Sequence, residues 1–135
     1  MTTPITQGLH HLGLTVSDLD AARDFFINAL HFQLLGEDED YPAAFVSDDV
    51  TVITLWAADP NAAQFDRKRH IGLHHAAFRV ASIDRLKQLY IELSEWPETE
   101  FECDISAPSK GAAARHFLMR MPGGPRIEFY AEGEE

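Results

Sequence analysis

An α+β fold built by internal duplication is predicted from three features of the sequence. The tetrapeptide "GLHH" occurs twice, at residues 8–11 and 72–75. A shift of 64 positions, carrying Gly8 onto Gly72, lays "GLHHLGLTVSDLDAARDFF" over "GLHHAAFRVASIDRLKQLY", matching Val16 with Val80 and Asp20 with Asp84. Each copy opens with alternating residues and then changes to a helical period, and short apolar runs separated by turn residues follow it.

The first strand places Leu12, Leu14 and Val16 on one face and His11, Gly13 and Thr15 on the other. Ser17 or Asp18 can cap the helix after it, whose apolar stripe is Leu19, Ala22, Phe25 or Phe26, Ala29 and Leu30. The acidic "EDED" at residues 37–40 lacks the spaced ligands of a calcium loop and is expected to be a solvated loop. "AAFVS" and "VTVITLWA" read as strands, and residues 59–70 as a polar connector.

The second copy repeats the order. Ala76, Phe78 and Val80 oppose His75, Ala77 and Arg79, and Ser82 caps a helix carrying Ile83, Leu86, Leu89 or Tyr90, and Leu93. "HFLMRM" and "RIEFYA" are strands joined by the turn "MPGGP", and Cys103 is expected in the acidic loop "TEFECDIS". The chain is expected to be one domain, residues 1–135, made of module 8–58 and module 71–131.

At 135 residues and 45% hydrophobic content, the chain has the size and composition of one ordinary core. Eleven Lys and Arg against 22 Asp and Glu give a net charge of −11, which disfavours nucleic acid and anionic membranes as partners. A single cysteine rules out an internal disulfide, and no long apolar segment is present, so a cytoplasmic protein is expected.

Strand parity then becomes chemical. With the apolar faces packed on the helices, His11 and His75 lie on the opposite face, whereas His10 and His74 have the other parity. In "RIEFY", Ile127 and Phe129 face the helix, so Arg126, Glu128 and Tyr130 share the face of the two histidines. Two imidazoles and a carboxylate with open positions suit Fe(II) or Mn(II), with Zn(II) and Ni(II) as alternatives.

The stretch "HHLGLTVSDLDAARDFFINALHF", with its strand-initial histidines and "VSDLD" helix entry, and the closing "MPGGPRIEFY" resemble the vicinal oxygen chelate superfamily over about residues 8–131. That superfamily includes glyoxalase I, extradiol dioxygenases, fosfomycin-resistance enzymes and bleomycin-binding proteins. The resemblance implies two paired βαβββ modules forming a curled, cup-shaped mixed sheet. It also implies a divalent metal held by His11, His75 and Glu128, and a homodimer.

Departures from the family narrow the activity. Thr54 stands where glyoxalase I supplies a fourth ligand, Gly13 where the fosfomycin transferases place a threonine, and Asp48, Asp49 and Thr51 near the dioxygenases' additional histidine. His116 is a candidate proton carrier and Tyr130 a second catalytic candidate. Arg79 and Arg126 are candidates for binding a substrate anion, and Phe45 and Trp56 for an aromatic substrate wall. The expected function is a metal-dependent enzyme acting on a small oxygen-rich organic molecule, dioxygenase-like ahead of a glyoxalase-like lyase or isomerase. The alternative is a metal-free protein that sequesters an antibiotic, as bleomycin-binding relatives do.

Overall fold

The computed structural model describes residues 2–133. The chain divides into two compact units, Met1–Asp59 and Pro60–Glu135. In the first, β1 (His11–Val16) leads into helix α1 (Leu19–Asp24), which runs on as a π-helical turn over Phe25–Ala29. Three strands follow: β2 (Gln33–Asp38), β3 (Ala43–Ser47) and β4 (Val52–Ala57), in the sheet order β1-β4-β3-β2. The β1–β4 pair is parallel and the other two pairs are antiparallel.

Asp18, rather than Ser17, caps α1, its carboxylate accepting from the Ala21 amide at 3.0 Å. The π-turn closes with Leu30 N–H donating to the Phe25 carbonyl at 3.1 Å. Within it the adjacent rings of Phe25 and Phe26 are both fully buried. With Leu14, Val16, Ile53 and Leu55 they form the core of this unit, as the predicted apolar face of β1 requires.

In the second unit β5 (Ala76–Arg79), α2 (Ile83–Ser94), β6 (Glu100–Ser106), β7 (Arg115–Arg120) and β8 (Arg126–Ala131) repeat the plan, with the sheet order β5-β8-β7-β6. Ser82 caps α2 by accepting from Arg85 N–H at 3.0 Å. The helix lays Leu86, Leu89 and Leu93 over the sheet, where Phe117, Met119, Ile127 and Phe129 are buried with them. Two mixed four-stranded sheets with helices on one face make the fold α+β, as expected.

Two segments expected as loops are strands. Glu37 and Asp38 of the acidic run belong to β2, and Cys103 lies half-buried in β6. The acids of β6 alternate outward against Phe101, Cys103 and Ile105, so what resembled a polar loop is an amphipathic strand. No helix among the described residues is long and apolar enough to cross a membrane.

Candidate metal centre

Glu128 sits on β8, an interior strand of the second sheet. Register sets its neighbours: Ala77 of β5 lies beside it on one side and Leu118 of β7 on the other, while His116 pairs with Tyr130. Because side chains alternate, His116, Glu128 and Tyr130 share the face away from α2. His75, just ahead of β5, reaches the same carboxylate. Its Nε2 is 3.0 Å from Glu128 Oε1, and His116 Nδ1 is 2.7 Å from Oε2. One buried carboxylate is thus flanked by an imidazole at each oxygen. The Tyr130 ring stands edge-on to His116, with centroids 6.5 Å apart.

His75 has a second partner at its other nitrogen. Its Nδ1 lies 2.8 Å from Nδ1 of His74, the rings meeting edge to face. Arg126 approaches the same His74 nitrogen through Nη1 at 3.3 Å and pairs through Nε with Glu102, which Arg67 also approaches at 3.6 Å. Desolvation, helped by Arg126, His75 and Arg67 and opposed by Glu102, holds the His74 pKa below the usual imidazole value. The first unit repeats the histidine pair, with His10 and His11 joined Nδ1 to Nδ1 at 2.9 Å.

In the first sheet Thr54 takes the place that Glu128 has in the second. It pairs with Gly13, two residues after His11, as Glu128 pairs with Ala77, two after His75. Its hydroxyl is buried and accepts from the Trp56 indole N–H at 2.9 Å. The indole meets Phe45 at 5.8 Å and Tyr41 at 5.0 Å between centroids, and Tyr41 is largely exposed. A Cβ at position 13 would stand 3.2 Å from Thr54 Oγ1 and 3.5 Å from the indole nitrogen, so glycine leaves room for this arrangement.

Of the residues singled out in the sequence, the second unit gathers His75, Glu128, His116 and Tyr130, while Phe45 and Trp56 meet in the first unit. His11 is exposed at the start of β1. Arg79 is 76% exposed, with Glu132 at 3.8 Å, whereas the Arg126 guanidinium is occupied by Glu102 and His74. Among the described residues no group of three or more His, Cys, Asp or Glu is arranged to hold a metal ion. The contact of His116 with Glu128, the histidine pairs and Tyr41 were not anticipated. The doubled "HH" was the visible signal for the pairs, but His10 and His74 precede the strands, where alternation does not apply.

The family model described as Glyoxalase/Bleomycin resistance protein/Dioxygenase superfamily matches residues 8–129. No curated protein matches the chain. Solved structures do. A glyoxylase/bleomycin resistance protein/dioxygenase domain from Frankia sp. EAN1pec superposes with a TM-score of 0.77 at 23% identity, over 96% of this chain and 94% of that one. A lactoylglutathione lyase from Agrobacterium tumefaciens gives 0.71 at 14% identity, over 95% and 96%. The fosfomycin resistance protein FosX from Listeria monocytogenes gives 0.73 at 16% identity, over 94% of each. With a family match that spans almost its full length and the duplicated sheets that this family's structures share, the chain belongs to the glyoxalase/bleomycin resistance protein/dioxygenase superfamily.

Proposed function

We propose that the chain is a divalent-metal-dependent enzyme acting on a small, oxygen-rich organic substrate, with dioxygenase-like chemistry ahead of a lyase or isomerase. The observation that carries this reading is the 3.0 Å approach of His75 Nε2 to Glu128 Oε1. An imidazole nitrogen and a carboxylate oxygen this close can both donate to a single divalent cation. His75, Glu128 and the repeated strand-initial His11 are the proposed ligands, and Fe(II) or Mn(II) is the metal that such a donor set suits.

When bound, the metal supplies Lewis acidity to adjacent oxygens of the substrate. The protein's own groups do the rest. His116 holds the second oxygen of Glu128 and fixes the carboxylate, and Tyr130 stands beside it with a phenol able to donate or accept a proton. Arg79, exposed on the strand next to Glu128, is the proposed partner of a substrate anion. Phe45 and Trp56 are the proposed aromatic contacts. Loss of the fourth carboxylate at Thr54 speaks against a glyoxalase-type proton transfer from that position. A homodimer is part of the proposal and rests on the family resemblance.

The test is metal content per chain after anaerobic purification. Close to one Fe or Mn per chain is expected, with His11→Ala, His75→Ala and Glu128→Ala each removing most of it while the fold persists. Full retention in any of the three would sink that ligand assignment.

One observation favours a second reading, a protein that sequesters a small cationic aromatic ligand without metal. The Tyr41, Phe45 and Trp56 rings form an accessible aromatic surface in a chain of net charge −11. Absence of metal, together with no thermal stabilisation on adding Fe(II), Mn(II), Zn(II) or Ni(II), would favour it.

A further inference from the structure

The contacts of the His74–His75 pair constrain which ring nitrogens can carry its protons. Arginine can only donate hydrogen bonds. Since Arg126 Nη1 lies 3.3 Å from His74 Nδ1, that nitrogen is an acceptor, and the proton of neutral His74 sits on Nε2. The same His74 nitrogen is 2.8 Å from His75 Nδ1, a hydrogen-bond separation that needs one proton between them. That proton must therefore belong to His75 Nδ1. Neutral His75 then carries its lone pair on Nε2, the nitrogen that faces Glu128 at 3.0 Å.

We propose that His74 is a positioning residue: kept as an acceptor by Arg126, it holds the His75 proton on Nδ1 and leaves Nε2 as a bare donor beside Glu128. This deepens the metal reading, on which its purpose rests, and gives Arg126 a role other than substrate binding. A bare imidazole nitrogen held beside a carboxylate oxygen makes a pair of donors to which a divalent cation would be attracted, whereas a proton on Nε2 would have to be displaced first. The His10–His11 contact, Nδ1 to Nδ1 at 2.9 Å, repeats the imidazole pair in the first unit. A metal-ligating imidazole whose other nitrogen is hydrogen-bonded is fixed in both ring orientation and tautomer.

The test reads the tautomers directly. Heteronuclear NMR of the imidazole nitrogens in the metal-free full chain, at a pH where its histidines are neutral, is expected to show His75 protonated at Nδ1 and His74 at Nε2. In His74→Phe, which keeps a ring but loses the acceptor, the His75 proton is expected at Nε2, where Glu128 accepts it. Mn(II) affinity measured by calorimetry should then fall about ten- to a hundredfold. His74→Asn, whose carbonyl oxygen can replace the Nδ1 acceptor, should restore both properties. Wild-type His75 protonated at Nε2, or His74→Phe with tautomer and affinity unchanged, would overturn the proposal. A wild-type chain with the expected tautomers and no affinity for Mn(II) would support the positioning role and overturn the metal reading alone.

Discussion

His116 Nδ1 stands 2.7 Å from Glu128 Oε2, and the two side chains are only 15% and 11% exposed. A carboxylate so far removed from water depends on its partners. His116→Phe keeps the ring but deletes the donor, and is expected to cost about 1–3 kcal/mol of stability in urea denaturation. Metal affinity should fall with it, because the carboxylate is no longer oriented. A variant as stable as the parent, with undiminished affinity, would show that His116 does not hold Glu128.

Gly13 leaves little space for a side chain on the first sheet's polar face. Gly13→Val brings a branched side chain against Thr54 Oγ1 and the indole nitrogen, and should push Trp56 off its acceptor. The expected result is a changed near-UV circular dichroism spectrum with a loss of about 1 kcal/mol, the net value of one hydrogen bond. An unaltered spectrum would mean that the indole is not fixed by Thr54.

Alkaline pH should weaken the second unit through Tyr90. Its hydrogen bond to Asp104, followed by desolvation and the charges of Asp104 and Cys103, raises the phenol pKa above 10.0. The native state then binds the phenol proton more tightly than the unfolded chain does. The resulting stabilisation is complete below pH 10.0 and is lost as pH rises through the shifted value. Tyr90→Phe should flatten that part of the stability profile, and a slope identical to the parent's would refute the linkage.

Phe117 is fully buried and meets the rings of Tyr90, Phe101 and Phe129 at centroid distances of 5.2, 5.7 and 5.2 Å. Phe117→Ala is expected to destabilise the chain by about 3–5 kcal/mol, the usual cost of emptying a closed aromatic core. A loss under about 1 kcal/mol would mean that the surroundings collapse to fill the space.

Much of this was legible because parity and duplication are strict. The faces of β1 and β5, the Ser82 cap and the common face of Glu128 and Tyr130 all follow from period-2 alternation and turn chemistry. β2 was hidden because Leu34 and Leu35 are consecutive and a register shift falls between Leu34 and Gly36, which breaks the alternation. β6 was hidden by two register shifts of its own and by its acids. The His116–Glu128 contact is diagonal across β7 and β8, so it depends on the exact register set by the turn between them, which residue spacing alone does not fix. The histidine pairs depend on backbone outside the ladders, where no period applies.

The copies differ most in their hairpins. The offset between them is 64 residues at His11 and His75 but 74 at Thr54 and Glu128, while the strand order is the same. Part of the difference lies in the connection of β6 to β7, residues 107–114, against residues 39–42 between β2 and β3. The pairing that sets Glu128 opposite Ala77 nonetheless matches that of Thr54 with Gly13. The longer 107–114 connection is not idle chain: Ala114 is buried, and the carbonyls of Ala112, Ala113 and Ala114 hold the Arg115 guanidinium beside His116, so a graft there would preserve the imidazole–carboxylate contact only if it kept that anchor.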